Sequence, residues 1–486
     1  MKLTADDSET RAGLKESLRS RSSYEVLTDR TDELADESDG ITLAVVRLLP
    51  RRAEARPVRA DLIAFAIAIT AIAAAAVAGF LLNGAGAPLY ADAAPLFGYW
   101  LPRTGPGTPL ALATAGAVVA WGPAFAARLP WGRLLATAYF TAVLWTFSLA
   151  MVDGWQDGIA GRLADWTEYL HDVPRVTDIG GMLGSFTEHI LAGQPGSWTV
   201  HVSGHPPGVL LCYVWLARIG LGGGAWAAAV TVLIGALAAV AVPATVRALA
   251  GVAAARAVVP FVVLFPGAVW AGVSADGMFA GIAATGVALL AIASVRAGPT
   301  AWLSAVLAGV LLGFGLFLSY GLVLMFPFVC VVLLRTRDIR AFLLAAVGAA
   351  CVVAAFALHG FWWLDGYHLV IQRYQQGDFA QRPYGYWVGG NIAALLISVG
   401  PLAAVATRRA VVDRGAAAWL VLAAATAVLA ADVSGLSKAE VERIWLPFAV
   451  WFAVGAAFLP TRHHRWWLAG QAATALAVNH LIATNW

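Results

Sequence analysis

The feature that most limits what this chain can fold into is a succession of apolar stretches that begins near residue 58 and recurs through its 486 residues. A helix needs about 20 predominantly apolar residues to cross a bilayer. Segments 60–82, 109–127, 134–152, 225–246, 257–273, 275–295, 301–319, 321–334, 341–358, 390–407, 415–431, 443–459 and 466–485 meet or approach that length. Composition agrees: 60% of residues are hydrophobic and 13% charged, against roughly 45–50% and about 25% in soluble domains. The expected fold is an all-α polytopic transmembrane helix bundle of about 13 spans, plus one short re-entrant or interfacial helix. The net charge of +3 gives no sign of a nucleic-acid partner. Cys212, Cys330 and Cys351 sit inside apolar runs without metal-like spacing and read as small core residues. Scarce Lys with abundant Ala, Gly and Arg matches a high-GC bacterial genome.

Residues 1–57 are rich in Asp, Glu, Ser, Thr and Arg and lack the apolar core of a signal peptide. They are expected to be a disordered cytoplasmic tail. With that tail inside, 83–108 lies outside, Arg128 and Arg133 lie inside, and 153–207 lies outside. From the other end, Arg462/Arg465, Arg408/Arg409/Arg414, Arg335/Arg337/Arg340, Arg296 and Arg247/Arg256 fall on alternate turns, as cytoplasmic clusters do. The two directions agree only if residues 207–246 cross the membrane once. The apolar piece 208–221 is short and runs into Gly222, Gly223 and Gly224, so it is the segment expected not to span.

That topology puts the large polar loops on the extracytoplasmic side. Loop 153–207 carries most of the ionisable groups, which hydrocarbon would not tolerate. In it, Asp165 and Glu168 are candidate general bases. On a helix, Asp165 and Glu168 would share a face, and their mutual repulsion would raise one pKa. An interfacial helix anchored by Trp166 and Tyr169 fits the same spacing. His201 and His205 are four apart, but Gly204 and Pro206 disfavour the helix a shared metal would need, so no metal is expected. The Pro-Pro pair instead delivers His205 to the loop's rim. In 362–391, Arg373 and Arg382 stand among aromatics that include Tyr384. Arginine on the outer face calls for a negative partner, and a lipid phosphate suits it; a plain aromatic belt also fits. Lys438, Glu440, Glu442 and Arg443 form either an ion-pair network or, with Arg382, a phosphate site. Asp276 stands alone at the outer end of an apolar helix, as a functional carboxylate or a cap.

In this order, DWTEYL, then HPPGVLLCYVWLARIGLGGG, then LFPGAVWAGVSADGMF and EVERIWLP resemble the GT-C class of polytopic glycosyltransferases, which includes protein O-mannosyltransferases and aminoarabinose transferases. The resemblance spans roughly residues 134–460. It implies transfer of a sugar from a polyprenyl-phosphate donor to a hydroxyl of a glycan, lipid or protein on the extracytoplasmic face, with inversion in a single displacement and no cofactor. Asp165 stands at the family's catalytic Asp, with Glu168 and Asp157 as alternatives. Arg382, Lys438 and Arg443 would meet the donor phosphate, and His205, Tyr384 and Asp276 would line the substrate site. The implied division is a tail (1–57), two extra spans (58–133), a GT-C-like core (134–460) with outer loops 153–207, 359–389 and 432–442, and a final span (461–486). A transporter or lipid flippase is the rival reading and calls for inverted repeats and interrupted helices. A non-catalytic scaffold that kept the fold is another.

Overall fold

The computed structural model describes residues 58–484; the expected tail, 1–57, lies outside the described residues. Among the described residues, the sixteen helices of eleven or more residues are numbered in chain order. The first three are α1 (Val58–Gly84), α2 (Thr108–Arg128) and α3 (Trp131–Ala150). After the long polar loop come α4 (Gly208–Arg218), α5 (Gly224–Gly235), α6 (Ala238–Ala250) and α7 (Val252–Val263). Next are α8 (Ala275–Ser294), α9 (Pro299–Leu318), α10 (Phe326–Thr336), α11 (Ile339–Leu358) and α12 (Trp363–Gln375). The last are α13 (Tyr384–Val399), α14 (Leu402–Asp413), α15 (Ala416–Val433) and α16 (His464–Leu481). A two-stranded antiparallel ribbon pairs β1 (Gly98–Trp100) with β2 (Ile482–Thr484).

The expected class, an all-α polytopic membrane bundle, is the architecture observed. Among the described residues eight helices are long and apolar enough to cross a membrane, taking α5–α6 as one. A ninth is counted if α13 and α14, bent by 98° at their junction, form one broken span. The other apolar segments are shorter or more polar, and local chemistry says why. The 257–273 segment ends its helix at Val263 because Pro266 and Gly267 come next. In 321–334, residues Tyr320–Met325 wind as a 3-10 turn before α10. The 443–459 segment breaks at Trp445, ahead of Pro447, into short helices followed by a 3-10 stretch, Val450–Phe458. Helix α16 carries Gln471, Asn479 and His480. As expected, α4 is far too short to span, at about 1.5 Å per residue. It is covered by protein, with Val209, Leu210, Leu211, Tyr213 and Val214 buried.

The α13–α14 break turns on Gly400, whose φ of 82° suits glycine, followed by Pro401. A bend inside an apolar bundle strips hydrogen bonds from the backbone. Gln471 of α16 replaces them: its Nε2 donates to Val399 O at 2.7 Å and its Oε1 accepts from Leu402 N at 3.3 Å. At the end of the bundle where α1 begins, buried Asp61 accepts from Arg408 Nη1 at 2.8 Å and Arg409 Nε at 2.9 Å. It also pairs with Arg409 Nη2, while Arg409 Nη1 donates to Phe458 O. The largely exposed α1 is thereby fastened to α14.

Candidate functional site

Loop 153–207 opens on a short π-helical turn and continues as 3-10 turns, Arg162–Ala164, Tyr169–His171 and Val173–Arg175. The backbone is extended at Asp165 (ψ 152°) and Glu168 (φ −92°, ψ 172°). The two carboxylates therefore do not share a helical face, as a helix would have required. Asp165 is exposed, and its Oδ1 accepts from Thr167 N at 2.9 Å and Thr167 Oγ1 at 2.7 Å. That is the local turn which Asp side chains favour. Glu168 is buried, with Oε1 3.4 Å from His201 Nδ1. Its Oε2 is shielded and has no hydrogen-bond partner among the described residues. Burial pushes its pKa up to about 7; the Arg443 charge pulls against that, while Asp276 and Asp165 add to it. Asp157 is exposed. Asp153, at the start of the loop, is taken up by Arg103 and Arg162.

The histidines close the same cluster. His201 lies in a four-residue helix, Val200–Ser203, with Nδ1 3.0 Å from Thr167 O. His205 Nδ1 stands 3.0 Å from the Tyr169 hydroxyl and 2.9 Å from His201 O. Burial lowers the pKa of both imidazoles; for His201 the Arg443 charge adds to it and the value falls well below the usual one, while for His205 the Asp276 charge pulls against it. Both rings are therefore neutral near pH 7. After Pro206 and Pro207, α4 starts at Gly208, where a Cβ would lie 2.3 Å from Phe317 O. That close approach seats the HPPG corner against the end of α9. No group of three or more potential metal ligands forms among the described residues.

Facing these groups is a chain of buried ion pairs. Asp276, in the first turn of α8, accepts from Arg443 Nη1 at 2.8 Å, a place where the helix dipole favours a carboxylate. Arg443 Nη2 lies 3.3 Å from Glu440 Oε2, and Glu440 Oε1 lies 3.1 Å from Arg382 Nη1. The structure thus brings together Glu168, His205, Asp276 and Arg443, drawn from four separate stretches of sequence.

Arg382 joins the chain of ion pairs but has little left to give. Besides Glu440, its guanidinium donates to Leu89 O at 3.2 Å, Lys438 O at 2.7 Å and Tyr90 O at 3.2 Å. It lies against Phe379, at 4.1 Å from the ring centroid, and Phe97. It fastens segment 85–100 to loop 432–442. Lys438 Nζ is likewise engaged, by Ala380 O at 2.6 Å and Arg382 O at 3.0 Å. Tyr384 is exposed, with its hydroxyl 3.4 Å from Val433 O.

Tyr169, read from the sequence only as an interfacial anchor, is buried and orients His205. Two contributors were not singled out from the sequence. Segment 85–100 supplies backbone carbonyls to Arg382, and its Phe97 N donates to buried Glu442 at 2.8 Å. Asn391, on α13, bonds to loop 432–442. Its one signal was a lone amide in the apolar run 388–399.

No family model matches the chain, and no curated protein matches it. Among solved structures it is similar to the crystal structure of ArnT from Cupriavidus metallidurans in the apo state. The TM-score is 0.37 and the identity 16%, over 57% of this chain and 54% of that one. The match thus covers about half the length of that protein, and a likeness of that size carries no functional weight.

Proposed function

We propose that the protein transfers a sugar from a polyprenyl-phosphate donor to an acceptor hydroxyl on the extracytoplasmic side of the membrane, as the GT-C class does. The observation that carries this reading is a buried carboxylate, Glu168, poised near pH 7 in the same cluster as Arg443, Asp276 and two neutral histidines. A base works best when its pKa lies near the working pH. Glu168 takes that role ahead of the exposed Asp165 and Asp157. It accepts the acceptor's hydroxyl proton as that oxygen attacks the anomeric carbon. The bond from the anomeric carbon to the lipid phosphate breaks with its electrons leaving on phosphate, and the sugar's configuration inverts. Arg443 stabilises the departing phosphate as fixed positive charge. Its sharing between Asp276 and Glu440 keeps it aimed before substrate arrives. His205 orients the acceptor, while Arg382 and Lys438 hold the framework.

An apolar groove of about 220 Å³ supports a lipid-borne donor. Its lining includes Ala283, Leu316, Leu322, Val323, Phe326 and Val329, and Val323 and Phe326 are exposed. Ala283 lies seven residues, about two turns, beyond Asp276 on α8, so a lipid chain there would end close to the ion pairs. The broken α13–α14 span is a feature that favours a transporter, but Gln471 occupies the backbone groups which that break frees.

The test is turnover of a labelled polyprenyl-phosphate sugar by purified protein in lipid. Glu168→Gln that still binds donor and no longer transfers supports the reading. Undiminished transfer by Glu168→Gln removes Glu168 from the chemistry, and donor movement across the bilayer without transfer by the wild type replaces the reading with transport.

A further inference from the structure

The turn that presents Glu440 is held in a conformation that its residues resist. Ala439 and Glu440 have φ of 68° and 62°, the left-handed region in which a Cβ crowds the neighbouring carbonyl. Consecutive non-glycine residues stay there only where their surroundings hold them. The holder is Asn391, 1% exposed on α13. Its Nδ2 donates to Asp432 Oδ1 at 2.9 Å and to Ser437 O at 2.8 Å. Its Oδ1 accepts from Ala439 N at 3.1 Å. Both donors and one lone pair of the amide are thus spent on one loop, clamping the end of α15 to the turn.

The helix beyond the turn depends on it. Glu440 O accepts from Arg443 N at 3.1 Å and Ile444 N at 3.0 Å, so the short helix Val441–Ile444 is built on that carbonyl. The same residue's carboxylate bridges Arg382 and Arg443. A rotation of the turn would therefore move Arg443 twice over, through its backbone and through its ion pair.

We infer that Asn391 is a positioning residue: by holding the 437–440 turn left-handed, its amide fixes the Arg443 guanidinium at Asp276, opposite Glu168. The catalytic consequence rests on the proposed transferase reading, while the geometric one does not. In Asn391→Ala, a misplaced Arg443 should lower kcat by about 100-fold, the scale on which misplacement of a reacting group is felt. Glycine adopts a positive φ without strain, so adding Ala439→Gly should restore most of that loss. A role confined to stability would lower the yield of folded protein and leave kcat per folded molecule unchanged.

The second readout needs no sugar. Arg443 holds the Glu168 pKa down against its burial. Displacing the guanidinium should move the Glu168 carboxyl titration above about 7, followed by its infrared band and assigned through Glu168→Gln. If Asn391→Ala does not fold, Asn391→Asp replaces it, since it keeps the acceptor for Ala439 N and loses both donors. An unmoved titration with unchanged kcat overturns the inference and leaves the transferase reading standing. A shifted titration in a protein that transfers no sugar supports the inference while the transferase reading falls.

Discussion

The two ends of the bundle each bury a carboxylate against arginine, and they do it differently. At the α1 end, Asp61 takes hydrogen bonds on both oxygens from Arg408 and Arg409, and Arg409's remaining reach ends on Phe458 O. At the other end, Asp276, Arg443, Glu440 and Arg382 form an open chain beside Glu168 and Glu442, each with a buried oxygen that has no hydrogen-bond partner among the described residues. Burial pushes Glu442, like Glu168, up to about 7. Burying ionised groups is costly unless they are fully matched. The first cluster is matched and holds two helices together. The second is under-matched and depends on a strained turn, the condition expected where groups must change partners during a reaction.

The contrast is open to experiment, and the largest effect is expected on rate. Glu168→Gln should lower turnover by about 10²–10⁴-fold, the usual range for losing a general base, with donor binding retained in a direct binding assay. The same group sets a pH dependence. A base must be deprotonated, so kcat/KM should fall as pH drops through about 7 and level off above it, and a flat profile would remove Glu168 from that role. Next comes Asp61→Ala, which leaves two arginines facing an empty site. It should cost about 3–5 kcal/mol of stability, read from thermal unfolding in detergent, while kcat per folded molecule stays near wild type. A large fall in kcat there would erase the distinction between the two ends. Arg443→Ala should weaken binding of a polyprenyl-phosphate ligand by about 1.5–3 kcal/mol, the worth of a charged hydrogen bond. The smallest effect belongs to Asp165→Asn. Its side chain is exposed and serves a local turn, so both kcat and stability should change by no more than about 0.5 kcal/mol.

Much of this architecture was legible in the apolar runs, because a bilayer-spanning helix leaves a long and unambiguous trace. Proline and glycine decided where the trace misled: Pro266–Gly267, Gly400–Pro401 and Pro447 break segments whose hydropathy alone reads as continuous. The Asp165/Glu168 pair was legible only as a pair. Which carboxylate turns inward depends on extended backbone at both positions, and three-residue spacing does not reveal that. Arg382 illustrates a second limit. Its place among aromatics, in a loop the arginine pattern assigns to the outer face, marked it as needing a negative partner, and Glu440 provides one. The carbonyls of Leu89 and Tyr90 that use up its other donors come from nearly 300 residues away, and backbone acceptors leave no mark in a sequence. Asn391 was invisible for a related reason, since one amide in an apolar run looks incidental until the loop it clamps is in view.

The reach of those contacts also bears on when this end of the molecule can form. Phe97 bonds to Glu442 across 345 residues, and β1 pairs with β2 from near the opposite end of the described chain. A ribosome adding roughly 5–20 residues per second makes Glu442 roughly 20–70 s after Phe97. For that interval segment 85–100 has emerged without the carboxylate that receives it. Residues 153–207 have likewise been made without Arg443. The spans can enter the membrane one after another as they are made, whereas the polar end waits for its late partners. Nascent chains arrested before residue 440 should therefore be cleaved by protease within 85–100, and chains arrested far enough beyond it for Glu442 and Arg443 to emerge should resist.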